Sequence, residues 1–315
     1  MNDPAPIGAA SGPDSDLEPN LGRALRSGRF VLTAEITPPV SCDRTDLIAK
    51  VLPLKGLADA VNVTDGAGAH AHMDSVTAAA ILVGNGIDPV LQLTCRDRNR
   101  IALQSALMAA ASSGIRNILA LRGDDPQAGD QPETKAVFDL DTRGLLQTAA
   151  RLRDQGELPT GKKVSGRADF LLGAADMPLD PPEGWVPQAL AAKIEAGAQF
   201  VQTQFCMDAA ILRRYMARLC EHGLAKRAAM LIGVVPLRSA KSARWIRQNL
   251  FGAIIPDAMI ARLERAHDPA REGKAMLVDY LQEIADIPGV AGAHIMAPNH
   301  DEAVPEVIAE LRRRG

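Results

Sequence analysis

Seven glycines constrain the fold of this 315-residue chain more than any other feature. Gly56, Gly86, Gly114, Gly166, Gly197, Gly223 and Gly289 each stand between a helical stretch and a short β-rich apolar run. Glycine suits a helix end because it enters the left-handed backbone region without a Cβ clash. With one further run ahead of the first glycine, the rhythm predicts strands over 30–36, 59–64, 89–94, 115–121, 169–174, 200–204, 229–234 and 290–296. Eight strands, each followed by helical sequence, fit an α/β fold of the closed (β/α)8 TIM barrel type better than a doubly wound sheet of about five to seven strands. Asp65-Gly66-Ala67-Gly68 lacks the third glycine and the distant acid of a dinucleotide fingerprint, and reads as a plain loop. Residues 1–28, rich in Pro, Gly, Asp and Ser, are expected to form a flexible N-terminal arm with at most a short helix near 21–26; residues 29–315 are expected to be one catalytic barrel.

Composition removes several classes of function. A formal charge of −3 and an isoelectric point near 6.1 leave no electrostatic footprint for nucleic acid, and the one basic run, Arg312-Arg313-Arg314, reads as a solvated helix end. No stretch approaches the roughly 20 apolar residues of a membrane helix. Cys42, Cys95, Cys206 and Cys220 are widely spaced and no charged-then-apolar leader is present, so a reducing cytoplasm is the expected compartment. His70 and His72 match no metal-ligand spacing, and no metal site is expected. A Gly-x-Ser-x-Gly elbow is absent, and no cysteine has activating neighbours, which disfavours nucleophilic hydrolysis.

Ligands of parallel barrels sit at the carboxyl ends of the strands. There the chain offers Glu35, Thr64, Gln92 with Thr94, Arg122-Gly123-Asp124, Ala174, Gln204, Val234 and His294. Glu35 lies among apolar neighbours, Leu32-Thr33-Ala34-Glu35-Ile36, and desolvation there would raise its pKa and suit it to general acid catalysis. The alternative is an ion pair with a cation such as Arg122. Asp124 is either an acceptor toward a heterocycle or a turn cap, Gln204 either a ligand or a structural amide, and His294 either a core histidine or a ligand-facing one.

In combination, Ala34-Glu35-Ile36-Thr37-Pro38-Pro39, Asn62-Val63-Thr64, Gln92-Leu93-Thr94-Cys95, Leu121-Arg122-Gly123-Asp124-Asp125-Pro126, Ala196-Gly197-Ala198, Gln202-Thr203-Gln204-Phe205 and His294 resemble the methylenetetrahydrofolate reductase family of the bacterial, flavin-dependent type. The resemblance runs from about Phe30 to Leu311. It implies reduction of 5,10-methylenetetrahydrofolate to 5-methyltetrahydrofolate, or the reverse oxidation, with FAD as cofactor and NADH or NADPH as hydride donor. It further implies that Glu35 is the general acid and that Asp124 faces flavin and pterin as a catalytic and substrate-binding group. Gln204 would bind the pterin, while Thr64, Gln92, Arg122, Gly123, Asp124, Phe138, Ala174 and Lys193 would lie along the FAD. Folate is the implied partner; homo-oligomerisation is left open. The chain carries Val186, Ala189 and Ala192 where better-known bacterial members place polar or charged FAD contacts, Ala240 where they place a stacking aromatic, and Gln92 in place of a histidine. Two alternatives follow: a flavin-independent methylene-tetrahydropterin reductase, and a catalytically silent folate-binding relative that partners a methyl-transfer protein.

Overall fold

The computed structural model describes residues 20–298 and 300–314. Their eight strands are β1 (Val31–Ile36), β2 (Ala60–Val63), β3 (Pro89–Thr94), β4 (Asn117–Leu121), β5 (Leu171–Asp176), β6 (Phe200–Phe205), β7 (Ala229–Val234) and β8 (Val290–Ile295), each within two residues of its expected bounds. All neighbours are parallel, in the order β1 to β8, and β8 closes on β1 with Thr33 beside His294. The sheet has no free edge, as the (β/α)8 barrel requires.

Helices α1 (Asn20–Arg26), α2 (Arg44–Val51), α3 (Ser75–Gly84), α4 (Arg100–Ser112), α5 (Thr142–Gln155), α6 (Gln188–Glu195), α7 (Ala209–Glu221), α8 (Ala240–Asn249), α9 (Asp257–Arg265), α10 (Pro269–Ala285) and α11 (Ala303–Arg314) complete the described chain. Most begin where a short polar side chain accepts a first-turn amide, as Asp43, Asp74, Asn99, Asp141, Asp208 and Asp268 do. All seven glycines have positive φ. Gly166 is nonetheless not a helix cap: α5 ends at Gly156, an antiparallel bridge between Glu157 and Lys163 follows, and Gly166 turns the chain only after that bridge.

Two apolar regions share the strands by their period of two. One face, including Leu32, Ala34, Val61, Leu91, Ile118, Ala174 and Ile232, packs against the helices. The other turns Val31, Ala60, Val90, Leu119, Phe200 and Leu231 into the lower barrel. Phe200 fills so much of that space that a Cβ on Gly173 would stand 2.2 Å from its ring. Leu21 and Ala24 of α1 close this floor, and half-buried Asp88 accepts the Leu21 amide at 3.0 Å and an Asn117 amide hydrogen at 2.9 Å. Residues 1–19 of the expected arm lie outside the described residues; the short helix expected near 21–26 is α1, which packs against the barrel floor. Leu21→Ala should cost about 2–5 kcal/mol of stability in urea denaturation, the range for truncating a fully buried leucine.

Candidate functional site

Directly above that floor the barrel interior turns polar. The inward positions two residues before Glu35, Thr64 and Gln204 are Thr33, Asn62 and Gln202, all buried, and His294 on β8 joins them. Asn62 and Gln202 form a reciprocal amide pair: Asn62 Nδ2 donates to Gln202 Oε1 at 2.6 Å and Gln202 Nε2 to Asn62 Oδ1 at 2.9 Å. Gln202 Nε2 also donates to Thr33 Oγ1 at 3.0 Å, and Thr33 Oγ1 lies 2.9 Å from His294 Nδ1. His294 Nε2 is 3.4 Å from Glu35 Oε2, to which Gln92 Nε2 donates at 2.6 Å. Five strands thus contribute to one hydrogen-bonded chain ending on the Glu35 carboxyl.

Proton positions are inferred from this network. With the Thr33 hydroxyl donating to Nδ1, His294 presents Nε2–H to Glu35. With the ring in its other tautomer, Nδ1–H is given to Thr33, and a protonated Glu35 completes the Nε2 contact. Both Glu35 contacts use Oε2, and Oε1 accepts no hydrogen bond among the described residues. The side chain is 23% exposed. Its surroundings differ from the apolar setting expected: Ala34 and Ile36 turn outward to the helices, so Glu35 meets the polar interior instead. Arg122 is not its partner.

The loops after β2 and β4 form a second group. Asp124 Oδ2 accepts the Gly68 amide at 2.7 Å, which ties the β4 loop to the Asp65-Gly66-Ala67-Gly68 segment. Buried Arg96 straps the two together, donating to Gly66 O at 3.1 Å and to Asp124 O at 3.2 Å. Asp65 accepts from Thr94, Ser75 and Arg98, so its carboxylate is consumed in holding this loop on the barrel. Gly123, at φ +93°, packs where a Cβ would lie 2.8 Å from Arg96 Cβ, so only glycine fits. Exposed Arg122 lies 4.5 Å from the Phe138 ring centroid and forms no ion pair among the described residues. The Thr64 hydroxyl is buried without a partner there.

On the β5–β6 side the predicted residues are dispersed. The Ala174 side chain packs into the outer layer, because β5 turns Gly173 and Ala175 inward; only the Ala174 backbone is left for a ligand. Lys193 Nζ donates to Ala175 O at 2.6 Å and stands 4.0 Å from Asp176. Burial pushes the Asp176 carboxyl up despite the hydrogen bond from Tyr215, whose own hydroxyl is driven well above its usual range by burial and by that acid. Gln204 is occupied by backbone: Oε1 accepts from Phe205 N at 2.9 Å and Nε2 donates to Phe251 O at 3.2 Å. Val186 and Ala189 are exposed and offer no polar atom beyond their backbone.

The sequence pattern that defines methylenetetrahydrofolate reductases matches residues 20–312. The chain belongs to that family. It is 28% identical over 224 residues to the 5,10-methylenetetrahydrofolate reductase of Salmonella typhimurium, covering 69% of this chain and 68% of that one. With the Pectobacterium carotovorum enzyme of the same name it shares 30% over 230 residues, covering 70% and 69%. A probable methylenetetrahydrofolate reductase (NADPH) of Caenorhabditis elegans is 26% identical over 254 residues, 76% of this chain but only 35% of that longer protein. Among solved structures, an uncharacterized Clostridium thermocellum protein that binds two copies of 5-methyl-5,6,7,8-tetrahydrofolic acid shares the fold, with a TM-score of 0.64 and 12% identity over 94% of this chain and 99% of that one.

Within this family member, the structure adds residues that reading strand ends alone misses. Thr33, Asn62 and Gln202 carry the chain to Glu35, and the signal was a polar residue two positions before Glu35, Thr64 and Gln204. Gly68 and Arg96 hold Asp124, through contacts that no local pattern announces. His72 is a loop clamp, with Nε2 accepting from Gly66 N at 2.9 Å and Nδ1 2.8 Å from Met73 O, and no group of three potential metal ligands occurs among the described residues. Burial pushes the Cys95 and Cys206 thiols up to about 11, so neither is a thiolate near neutral pH. Asn62→Leu, which leaves the buried Gln202 amide without its partner, should cost about 1–3 kcal/mol in chemical denaturation while the circular dichroism spectrum stays that of the barrel.

Proposed function

We propose that the protein reduces 5,10-methylenetetrahydrofolate to 5-methyltetrahydrofolate, with NADH or NADPH as the source of hydride and FAD bound at the barrel mouth. The observation that carries this reading is the Glu35 carboxyl, held at Oε2 by Gln92 and His294 with Oε1 unbonded, in a barrel of this family. The reaction breaks the bond between the bridging carbon and the folate nitrogen N10. That nitrogen takes a proton, the carbon becomes an iminium centre, and hydride converts it to methyl.

Glu35 supplies the proton from Oε1, and the His294–Thr33–Gln202 chain accommodates either protonation state by the choice of imidazole tautomer. Asp124 keeps Oδ1 for the pterin while Gly68 holds Oδ2. Gln204 reaches the pterin edge by turning its amide away from Phe251 O.

The residues after β2 and β4 fit a flavin nucleotide. Among the described residues, Thr64 has an unpartnered buried hydroxyl and Arg122 a guanidinium without an ion pair, set over Phe138, and Gly123 has no Cβ over its backbone. Arg122 and Gly123 would hold the diphosphate and Thr64 the ring system, bordered by Gln92, Phe138, the Ala174 backbone and Lys193. Bound there, a flavin supplies hydride-transfer chemistry. A second reading keeps Glu35 and the reaction but takes hydride directly from the nicotinamide; it is favoured by Val186, just ahead of α6, and by Ala189 and Ala192 on α6, none of which offers a polar side chain.

The visible spectrum of gently purified protein separates the two. Flavin bands are expected, whereas a colourless protein that turns over with a nicotinamide alone selects the second. Glu35→Gln should lower methylenetetrahydrofolate turnover at least ~10²-fold and leave nicotinamide oxidation with an artificial acceptor largely intact, the signature of a lost general acid. Unchanged folate turnover removes Glu35 from the mechanism.

A further inference from the structure

The outer faces of α3 and α4 carry almost no charge. α3 has none over its 10 residues and α4 only Arg100, whose guanidinium is held by Asp139, whereas every other described helix carries two or more charged residues. A helix that is apolar on every side belongs under a cover. Along α3 runs a groove of about 480 Å³, walled by Val76, Ala80, Ile81 and Gly84 and by Ala109 of α4. None of the residues placed above in catalysis or cofactor binding lines it.

Two cations bracket the groove. Arg44, the first residue of α2, lines it on the side where the strands end, and Lys55 stands at its foot, where Nζ donates to Asn85 O at 2.7 Å, one residue past Gly84. Neither forms an ion pair among the described residues. Asp43 and Asp46, beside Arg44, are taken up by Thr45 N at 2.8 Å and Ser41 Oγ at 2.6 Å. The chain ahead of α1 has the matching pattern. Residues 4–13 carry no charge and centre on Ile7, Ala9 and Ala10, with Asp3 before them and Asp14, Asp16 and Glu18 after, and residues 1–19 contain no Lys or Arg.

That segment also joins the barrel at the right place. Asp88 Oδ2 accepts the Leu21 amide at 3.0 Å and its Oδ1 accepts from Asn117 Nδ2 at 2.9 Å. Asp88 follows Gly84 by four residues, and Asn117 follows Ser113, which lines the groove beyond the end of α4, by four. Residue 20 therefore lies at the foot of the groove. Residues 13–19 span at most about 25 Å and α3 is about 15 Å long, so residues 4–13 can cover its length. We infer that residues 4–13 of this chain occupy the groove, with Asp3 toward Arg44 and Asp14 and Asp16 toward Lys55. A second copy fits worse, because a two-fold axis sets the cations of one groove against the cations of the other. The inference is independent of the reaction proposed above.

The test places the photoreactive amino acid p-benzoylphenylalanine at Ile7 of the full-length protein, irradiates a mixture of isotopically light and heavy copies, and maps the cross-linked peptides by mass spectrometry. Cross-links are expected within single chains, on residues 75–84 and 100–113. The same measurement on the double variant Arg44→Glu/Lys55→Glu should yield about 3- to 10-fold fewer of them at an unchanged circular dichroism spectrum, the increment of exposed ion pairs turned repulsive. Arg213→Glu, on α7 across the barrel, should behave as the parent. Cross-links joining light to heavy chains assign the groove to a second copy and overturn the inference. So do cross-links confined to other faces of the barrel, no cross-links at all, or a double variant whose yield matches that of the parent.

Discussion

The amide of Gln202 sits at the centre of the barrel and gives one hydrogen to Asn62 and one to Thr33. The polar interior that ends on Glu35 depends on that pair of hydrogen bonds. It fixes Thr33, Thr33 fixes the His294 ring, and the ring together with Gln92 fixes the carboxyl of Glu35. A polar chain of this kind is costly unless every member is satisfied, because a buried unpaired amide forfeits its hydration. Here the chain is closed at its inner end by the reciprocal Asn62–Gln202 pair and opens at its outer end onto solvent. The apolar floor beneath it, completed by Leu21 and Ala24, keeps water out from below. The network therefore opens at the face where the strands end.

Around that exit the rim divides by chemistry. From β2 to β4 it is backbone-rich and strapped by Arg96 and Asp65, with Arg122 and the Thr64 hydroxyl left without an ion pair or hydrogen-bond partner among the described residues. From β5 to β6 its polar groups are largely used internally, by Lys193 on Ala175 and Gln204 on Phe251. Over β7 and β8 it is cationic and aromatic. Glu35, on β1, adjoins both the first sector, through β2, and the third, through β8.

Much of this was legible in the sequence, and for identifiable reasons. Strand rhythm and glycine punctuation suffice for the barrel, since each strand carries its own apolar period and each turn its own φ requirement. Glu35, Gln92 and Asp124 were visible because strand ends in a parallel barrel converge. The errors are equally physical. Alternation turns Ala174 outward although it lies near a strand end, and it places Glu35 among polar side chains that are distant in sequence. The pairing of Asn62 with Gln202 spans 140 positions, and the grip of Gly68 on Asp124 spans 56. Such contacts exist only after closure. A seven-residue helix such as α1 is too short for its period to announce the floor it completes.

The central claim is that a hydrogen-bonded carboxyl at the mouth of this barrel serves the conversion of a folate-bound methylene group to methyl. Its most direct test is chromatographic quantification of 5-methyltetrahydrofolate after anaerobic incubation of the purified protein with 5,10-methylenetetrahydrofolate and NADH or NADPH. The account predicts methyl product in amounts matching the nicotinamide oxidised; oxidation without methyl product, or neither with either nicotinamide, would contradict it.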